Sequence, residues 1–171
     1  MKRILTYIVM SIVIAMPCMA EANSFIEQLS SDPNVTVTYI SQAMLESKRY
    51  KDMMNRLPIA SKDARFDAVQ IYNCQSHASS SLARDYVAAY VKEKTAESEK
   101  SNAEYGKVVQ EKPQLLMKSS TGKISTLIYG FYGFKDKQYF DRIIILMAEN
   151  NTTTLIDIKG WIPIYSLIIG N

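Results

Sequence analysis

Residues 143–147 read Ile-Ile-Ile-Leu-Met, an apolar run with no polar residue to mark an outer face. A strand with one wet face alternates apolar and polar residues, so an unbroken run belongs to a strand covered on both sides, inside a sheet. The chain must therefore bring strands to both edges of this one and place cover over both its faces.

The neighbouring sequence supplies such strands. Residues 115–118, 123–132, 139–147 and 152–159 are rich in β-branched and aromatic side chains. Ser119-Ser120-Thr121-Gly122, Lys135-Asp136-Lys137 and Glu149-Asn150-Asn151 separate them as turns. Short turns between successive strands make antiparallel hairpins, so the second half reads as a meander.

The first half has a different texture. Residues 23–29 suit a short helix, and Asp32-Pro33-Asn34 is turn chemistry. Residues 35–40 (VTVTYI) contain no breaker and read as a strand. Ser41 stands where an N-cap hydroxyl would satisfy a free first-turn amide. The helix it opens is expected to run to about Asn55, with Ala43, Met44, Tyr50, Met53 and Met54 toward the core and Leu57-Pro58 ending it. Residues 66–74 (FDAVQIYNC) form the next strand. Ser79 to Ser81 offer caps for a long helix reaching at least Lys94, with Leu82, Ala83, Tyr86, Val87, Tyr90 and Val91 in one apolar stripe. The polar stretch 95–104 reads as a fraying helix end or a loop. The expected fold is α+β, a two-layer sandwich with two main helices on one face of a largely antiparallel sheet of about five to six strands.

The N-terminus carries an address. Lys2 and Arg3 precede a greasy stretch of about thirteen residues and then Ala20-Glu21-Ala22, the three-part layout of a secretory signal. A membrane span needs roughly twenty residues, so a cleaved signal is expected rather than an anchor. Ala20-Glu21-Ala22 favours cleavage after Ala22, with Ala20 as the alternative, giving a signal at 1–22 and one domain over 23–171. Lipidation at Cys18 is disfavoured, because Pro17 precedes it and lacks the backbone N–H and flexibility of an extended protease substrate. The expected location is the periplasm or cell surface of a Gram-negative bacterium.

Removing the signal leaves 149 residues, with 18 basic side chains against 16 acidic ones. A domain of that size buries roughly 70% of its unfolded surface and needs no staples. Near-neutral charge gives no electrostatic case for nucleic acid or an anionic membrane. One cysteine, Cys74, remains, so no internal disulfide can form.

The junction VTVTYISQAML (35–45), the strand FDAVQIYNC before a long helix, and the closing IIILMAENNTTTLIDIKGWI (143–162) resemble a family of exported Bacteroidetes proteins catalogued as domain of unknown function 4252. The likeness covers nearly all of the mature chain and implies a small exported α+β domain. It supplies no catalytic residue, and the hairpin tip at 130–138 (GFYGFKDKQ) looks longer than the family's usual turn.

Two constellations bear on chemistry. Cys74 and His77 form C-x-x-H between a strand and a helix, where a helix N-terminus and an imidazole would activate a thiol. Against this, Cys74 continues a strand's buried face and no third orienting group is visible. One cysteine and one histidine cannot supply the four ligands of a structural zinc. Neither a G-x-S-x-G elbow nor a phosphate-cradling glycine loop is present, and no cofactor is implied. The second constellation is aromatic. Phe131, Tyr132 and Phe134, beside Gly130 and Gly133, are expected at a hairpin tip with at least two rings near solvent, as a binding patch or as a cap on the core's open end. Tyr86 with Tyr90, and Trp161, read as structural. The expectation is a non-enzymatic binding or interaction domain whose partner is an envelope protein or a ligand. The alternatives are a small cysteine-dependent enzyme or redox protein using Cys74 with His77, and a self-associating envelope protein, a homodimer whose second subunit covers the other sheet face.

Overall fold

The computed structural model describes residues 21–50, 63–106, 110–133 and 138–164. Helix α1 spans 21–31, followed by β1 (Val35–Ser41), a single turn α2 (Gln42–Leu45), β2 (Arg65–Cys74) and the long α3 (His77–Tyr105). Strands β3 (Gln114–Thr121), β4 (Ile124–Tyr132), β5 (Tyr139–Glu149) and β6 (Thr152–Pro163) complete the described chain. The six strands form one sheet in the order β1-β2-β6-β5-β4-β3, with every neighbouring pair antiparallel. The architecture is the expected α+β sheet-and-helix sandwich.

Helix α3 makes this order possible. It leaves β2, crosses the sheet and delivers the chain to the far edge at β3, from which the meander returns to close against β2. At 1.5 Å per residue its 29 residues reach roughly 43 Å. Its start lies three residues earlier than the serine run suggested. Ser76 is the N-cap: its hydroxyl accepts from Ser79 N–H at 3.1 Å, while Ser76 N–H donates to the Ser79 hydroxyl at 3.2 Å. This is a reciprocal capping box with serine in place of the usual Glu or Gln. The stretch 95–104 is helical rather than a loop, and α3 ends at Gly106 with φ +62°. Its polar side chains are tied down. Ser98 Oγ and Asn102 Nδ2 donate to the Gln110 carbonyl at 2.8 and 2.9 Å, and Gln110 N–H donates to Asn102 Oδ1 at 3.0 Å.

Two apolar clusters lie on opposite faces of the sheet. Leu29 of α1 and Ala83, Tyr86 and Val87 of α3 pack on Tyr72, Cys74, Ile144, Leu146 and Leu155. On the other face, Ile40, Leu45, Val69, Ile143, Ile145, Ile158 and Ile162 form the second cluster, with Tyr50 and Ile164 against it. Ile143 and Ile145 look one way, Ile144 and Leu146 the other, and all four are buried within one chain. The two helices on one face are thus α1 and α3. Of the helix expected over 41–55, a first turn through Leu45 packs on the opposite face, with Ala43 and Met44 exposed; after a break at 46–47 residues 48–50 are helical again, and Met53 and Met54 lie outside the described residues. Ser41 takes the extended N-cap conformation without a side-chain cap bond.

Two irregularities set the phase of these faces. The β2 register shifts between Phe66 and Ala68, and the β5 register between Phe140 and Arg142. An extra residue in one strand flips every later side chain to the other face. The shift at Asp141 therefore lets Phe140 and Ile143 share the second cluster and turns Arg142 toward the helices.

Candidate interaction site

A lone Arg and a lone Asp in otherwise apolar strands need each other, because an unpaired buried charge is costly. Arg142 Nε donates to Asp157 Oδ1 at 2.7 Å, and Nη2 donates to Asp157 Oδ2 at 2.5 Å and to the Tyr86 hydroxyl oxygen at 2.6 Å. The guanidinium carbon lies 4.2 Å from the centre of the Tyr90 ring, whose edge contact with Phe131 spans 4.9 Å. Burial works against the Arg142 cation, but its hydrogen bonds to Asp157 and that carboxylate's charge more than offset this and hold its pKa above the ordinary value. Burial likewise raises the Tyr86 phenol, only partly countered by Arg142. Neither group changes charge near neutral pH, so the cluster clamps α3 to β5 and β6 rather than exchanging protons.

Beside this clamp the helix-covered face opens into a cleft of about 300 Å³, lined by Tyr39, Asp67, Ala68, Gln70, Asp157 and Lys159. A shallow neighbour of about 430 Å³ is lined by Ile26, Glu27, Ser30, Ser31, Gln70 and Tyr72. Both lie at the small end of the range for ligand sites.

The cleft runs out onto β1, an edge strand of the sheet. Edge strands are ordinarily blunted by charge, proline or a bulge. At the opposite edge β3 has such devices: Pro113 precedes it, its register shifts between Leu115 and Met117, and Lys118 lies within it. Within its own span, by contrast, β1 has none. It contains no charged residue or proline, and pairs with β2 without interruption from Val35 to Ser41. Residues 36–39 are exposed, Val37 at 41% and Tyr39 at 58%.

The hydrogen-bonding sense of β1 follows from one contact. The Asn34 carbonyl accepts from Gln75 N–H at 2.9 Å, so Asn34 turns its backbone groups toward β2. In an antiparallel ladder this direction alternates. Thr36, Thr38 and Ile40 therefore also face β2, while Val35, Val37 and Tyr39 face outward. Val35 N–H is taken by the Asp32 carbonyl at 3.0 Å. The outer edge of β1 thus consists of the Val37 and Tyr39 backbone groups and the Val35 carbonyl.

The residues singled out by sequence fall elsewhere. Cys74 is only 1% exposed within the helix-side cluster; burial pushes its thiol pKa up, with Ser79 pulling it partly back. A thiolate nucleophile needs the opposite shift. His77 is exposed on the first turn of α3. Phe131 is not at the surface: it is 4% exposed, under Tyr90. Alternation in β4 sends it toward the helices, whereas Tyr132 points to the other face, half-buried against Phe140 at 4.7 Å and donating its hydroxyl to Gln114 Oε1 at 2.6 Å. Phe134 lies outside the described residues. Trp161 is a β6 residue stacked on Tyr139 at 3.5 Å.

The chain matches no protein-family model, no curated protein and no solved structure. Among the described residues no group of three His, Cys, Asp or Glu is placed to hold a metal, and no helix is long and apolar enough to cross a membrane.

Both missed features had a sequence signal. Arg142 and Asp157 interrupt apolar strand runs (DRIIILM, TLIDI), and a charge there calls for an opposite charge nearby. The β1 edge was visible as an uncharged strand, but its edge position follows from the return of β6 to β2, a pairing no local pattern encodes.

Proposed function

We propose that this chain is a non-enzymatic binding domain of a Gram-negative envelope, exported to the periplasm or cell surface, that takes a protein partner along β1. The observation that carries the reading is the outer edge of β1: exposed, uncharged and uninterrupted, with Val37 and Tyr39 directing backbone groups outward. Such an edge is the template for strand addition, in which main-chain bonds supply affinity and alternate side chains supply selectivity. The buried, raised-pKa Cys74 thiol and the exposed His77 support binding over cysteine chemistry.

Export rests on the N-terminal signal layout, and the likeness to the exported Bacteroidetes family on the segments 35–45, 66–74 and 143–162. Ala22 is buried beside Leu29 in the helix-side core, which favours signal cleavage after Ala20, leaving Ala22 in the mature chain. The mass of the exported protein distinguishes the two sites.

The test is capture from a detergent-solubilised envelope extract, with wild-type chain and a Val37→Lys variant as baits. A partner held by wild type and lost by the variant is the expected result. Equal capture by both baits, or none by either, would remove β1 as the contact surface.

A further inference from the structure

We infer that the strand added at β1 is the β1 of a second copy, paired antiparallel about a two-fold axis through Val37. This rests on the reading of β1 as a binding edge and names its partner. The argument starts from the sequence of the strand, Val35-Thr36-Val37-Thr38-Tyr39, which is nearly the same in either direction.

Turned through 180° about Val37, the strand sets Val37 opposite its own copy, Val35 opposite Tyr39, and Thr36 opposite Thr38. Each pair is of a kind that stabilises antiparallel sheets: β-branched with β-branched, aromatic with β-branched, and threonine with threonine. The side chains also segregate. Val35, Val37 and Tyr39 share the helix-side face with Tyr72, the register partner of Val37, and Thr36 and Thr38 share the other.

Backbone chemistry accommodates this axis. Residues directly opposite each other in an antiparallel pair exchange two bonds only when both point their N–H and C=O at the partner. Val37 and Tyr39 do so, as set by the Asn34–Gln75 contact. With the axis at Val37, the two Val37 residues exchange both bonds, and each Tyr39 N–H donates to the other copy's Val35 carbonyl. Val35 N–H, already held by Asp32, is not needed. An axis through Thr38 would leave its central pair unbonded and set Val37 opposite Tyr39 instead, so the registers differ in whether Val37 meets its own copy. Like charge does not oppose the approach, since β1 carries none. The result is one continuous twelve-stranded sheet.

The contact is about one strand wide, below the area of a tight interface, so association is expected to be weak and reversible. The test is sedimentation equilibrium of the full chain, purified from an exporting host, from about 1 to 300 µM, a span bracketing an interface of this size. Wild type is expected to be a reversible dimer. Val37→Lys and Val37→Glu, each confirmed folded by circular dichroism, are expected to weaken association at least tenfold, because each sets like charges opposite across the axis. Mixing the two variants is expected to restore dimers, with Lys facing Glu.

A wild-type monomer throughout the range would overturn self-pairing while leaving β1 open to a different partner, which the extract capture reads separately. A dimer indifferent to both charges would place the contact elsewhere. Charge-sensitive dimers that the mixture fails to restore would overturn the Val37-centred register.

Discussion

At the residue scale, the two charges that hold the helix layer onto the sheet make the sharpest energetic statement. Asp157 is almost wholly buried and its carboxylate is engaged by Arg142 through both oxygens. Arg142→Ala would leave that carboxylate without its cation, at an expected cost of about 3–5 kcal/mol. An Arg142→Met/Asp157→Leu double variant removes both charges and should recover most of the loss, since apolar replacements of buried pairs are often neutral or stabilising. Urea denaturation of Arg142→Met, Asp157→Leu and the double variant completes the cycle; a double variant as unstable as the sum of the singles would show that the pair is not the coupled unit. Glu93 of α3 makes the opposite kind of statement. Burial raises its pKa first, Lys94 at 3.8 Å pulls it back, and Glu97 raises it again. A carboxyl raised on folding takes up protons in the native state, so stability falls as pH rises from the ordinary glutamate range through the raised value. Glu93→Gln removes that loss. Its melting temperature should exceed wild type at neutral pH, with the gain shrinking below the ordinary glutamate pKa; a difference constant across pH would contradict the assignment.

At the element scale, strands were more legible than helices, for a physical reason. A strand shows its identity in a few residues through β-branching and bounding turns, and all six strands follow the sequence runs within a few residues. A helix end depends on contacts that local pattern does not contain. The last turns of α3 are held by the Asn102 side chain on the Gln110 backbone, which nothing within 95–104 announces. The turn α2 stops at Leu45 after its side chain enters the second cluster. The phase of the aromatic run in β4 was open in the sequence. Its register against β5 sends Phe131 inward, where its ring is packing. Gly130 belongs to the same logic: a Cβ there would lie 2.7 Å from the Phe140 ring. Phe131→Ala is therefore expected to cost about 3–5 kcal/mol of stability through the cavity it leaves under Tyr90. Thermal and chemical denaturation measure it. A near-neutral Phe131→Ala would return that ring to the surface and to consideration as a contact.

At the scale of the whole molecule, the two apolar clusters are separated by the sheet and connected by it. Consecutive residues of β5 and β6 serve opposite cores: Ile143 and Ile145 against Ile144 and Leu146, Ile158 against Leu155. Neither cluster can lose its packing without disturbing the backbone that carries the other. The closure of β6 on β2, far apart in sequence, joins the βαβα half to the meander through nine register pairs. Such an arrangement should unfold as one unit. Leu155→Ala in the helix-side core and Ile158→Ala in the opposite core are each expected to cost about 2–5 kcal/mol. The expected signature is that both variants shift one transition. Far-ultraviolet circular dichroism, which follows the helices and the sheet, and fluorescence of Trp161, stacked on Tyr139 near the end of β6, should report the same midpoint in each case. If Ile158→Ala moved the Trp161 signal ahead of the helix signal, that end of the sheet would melt separately from the helix layer. The alternation along β5 would then be a packing pattern without thermodynamic coupling.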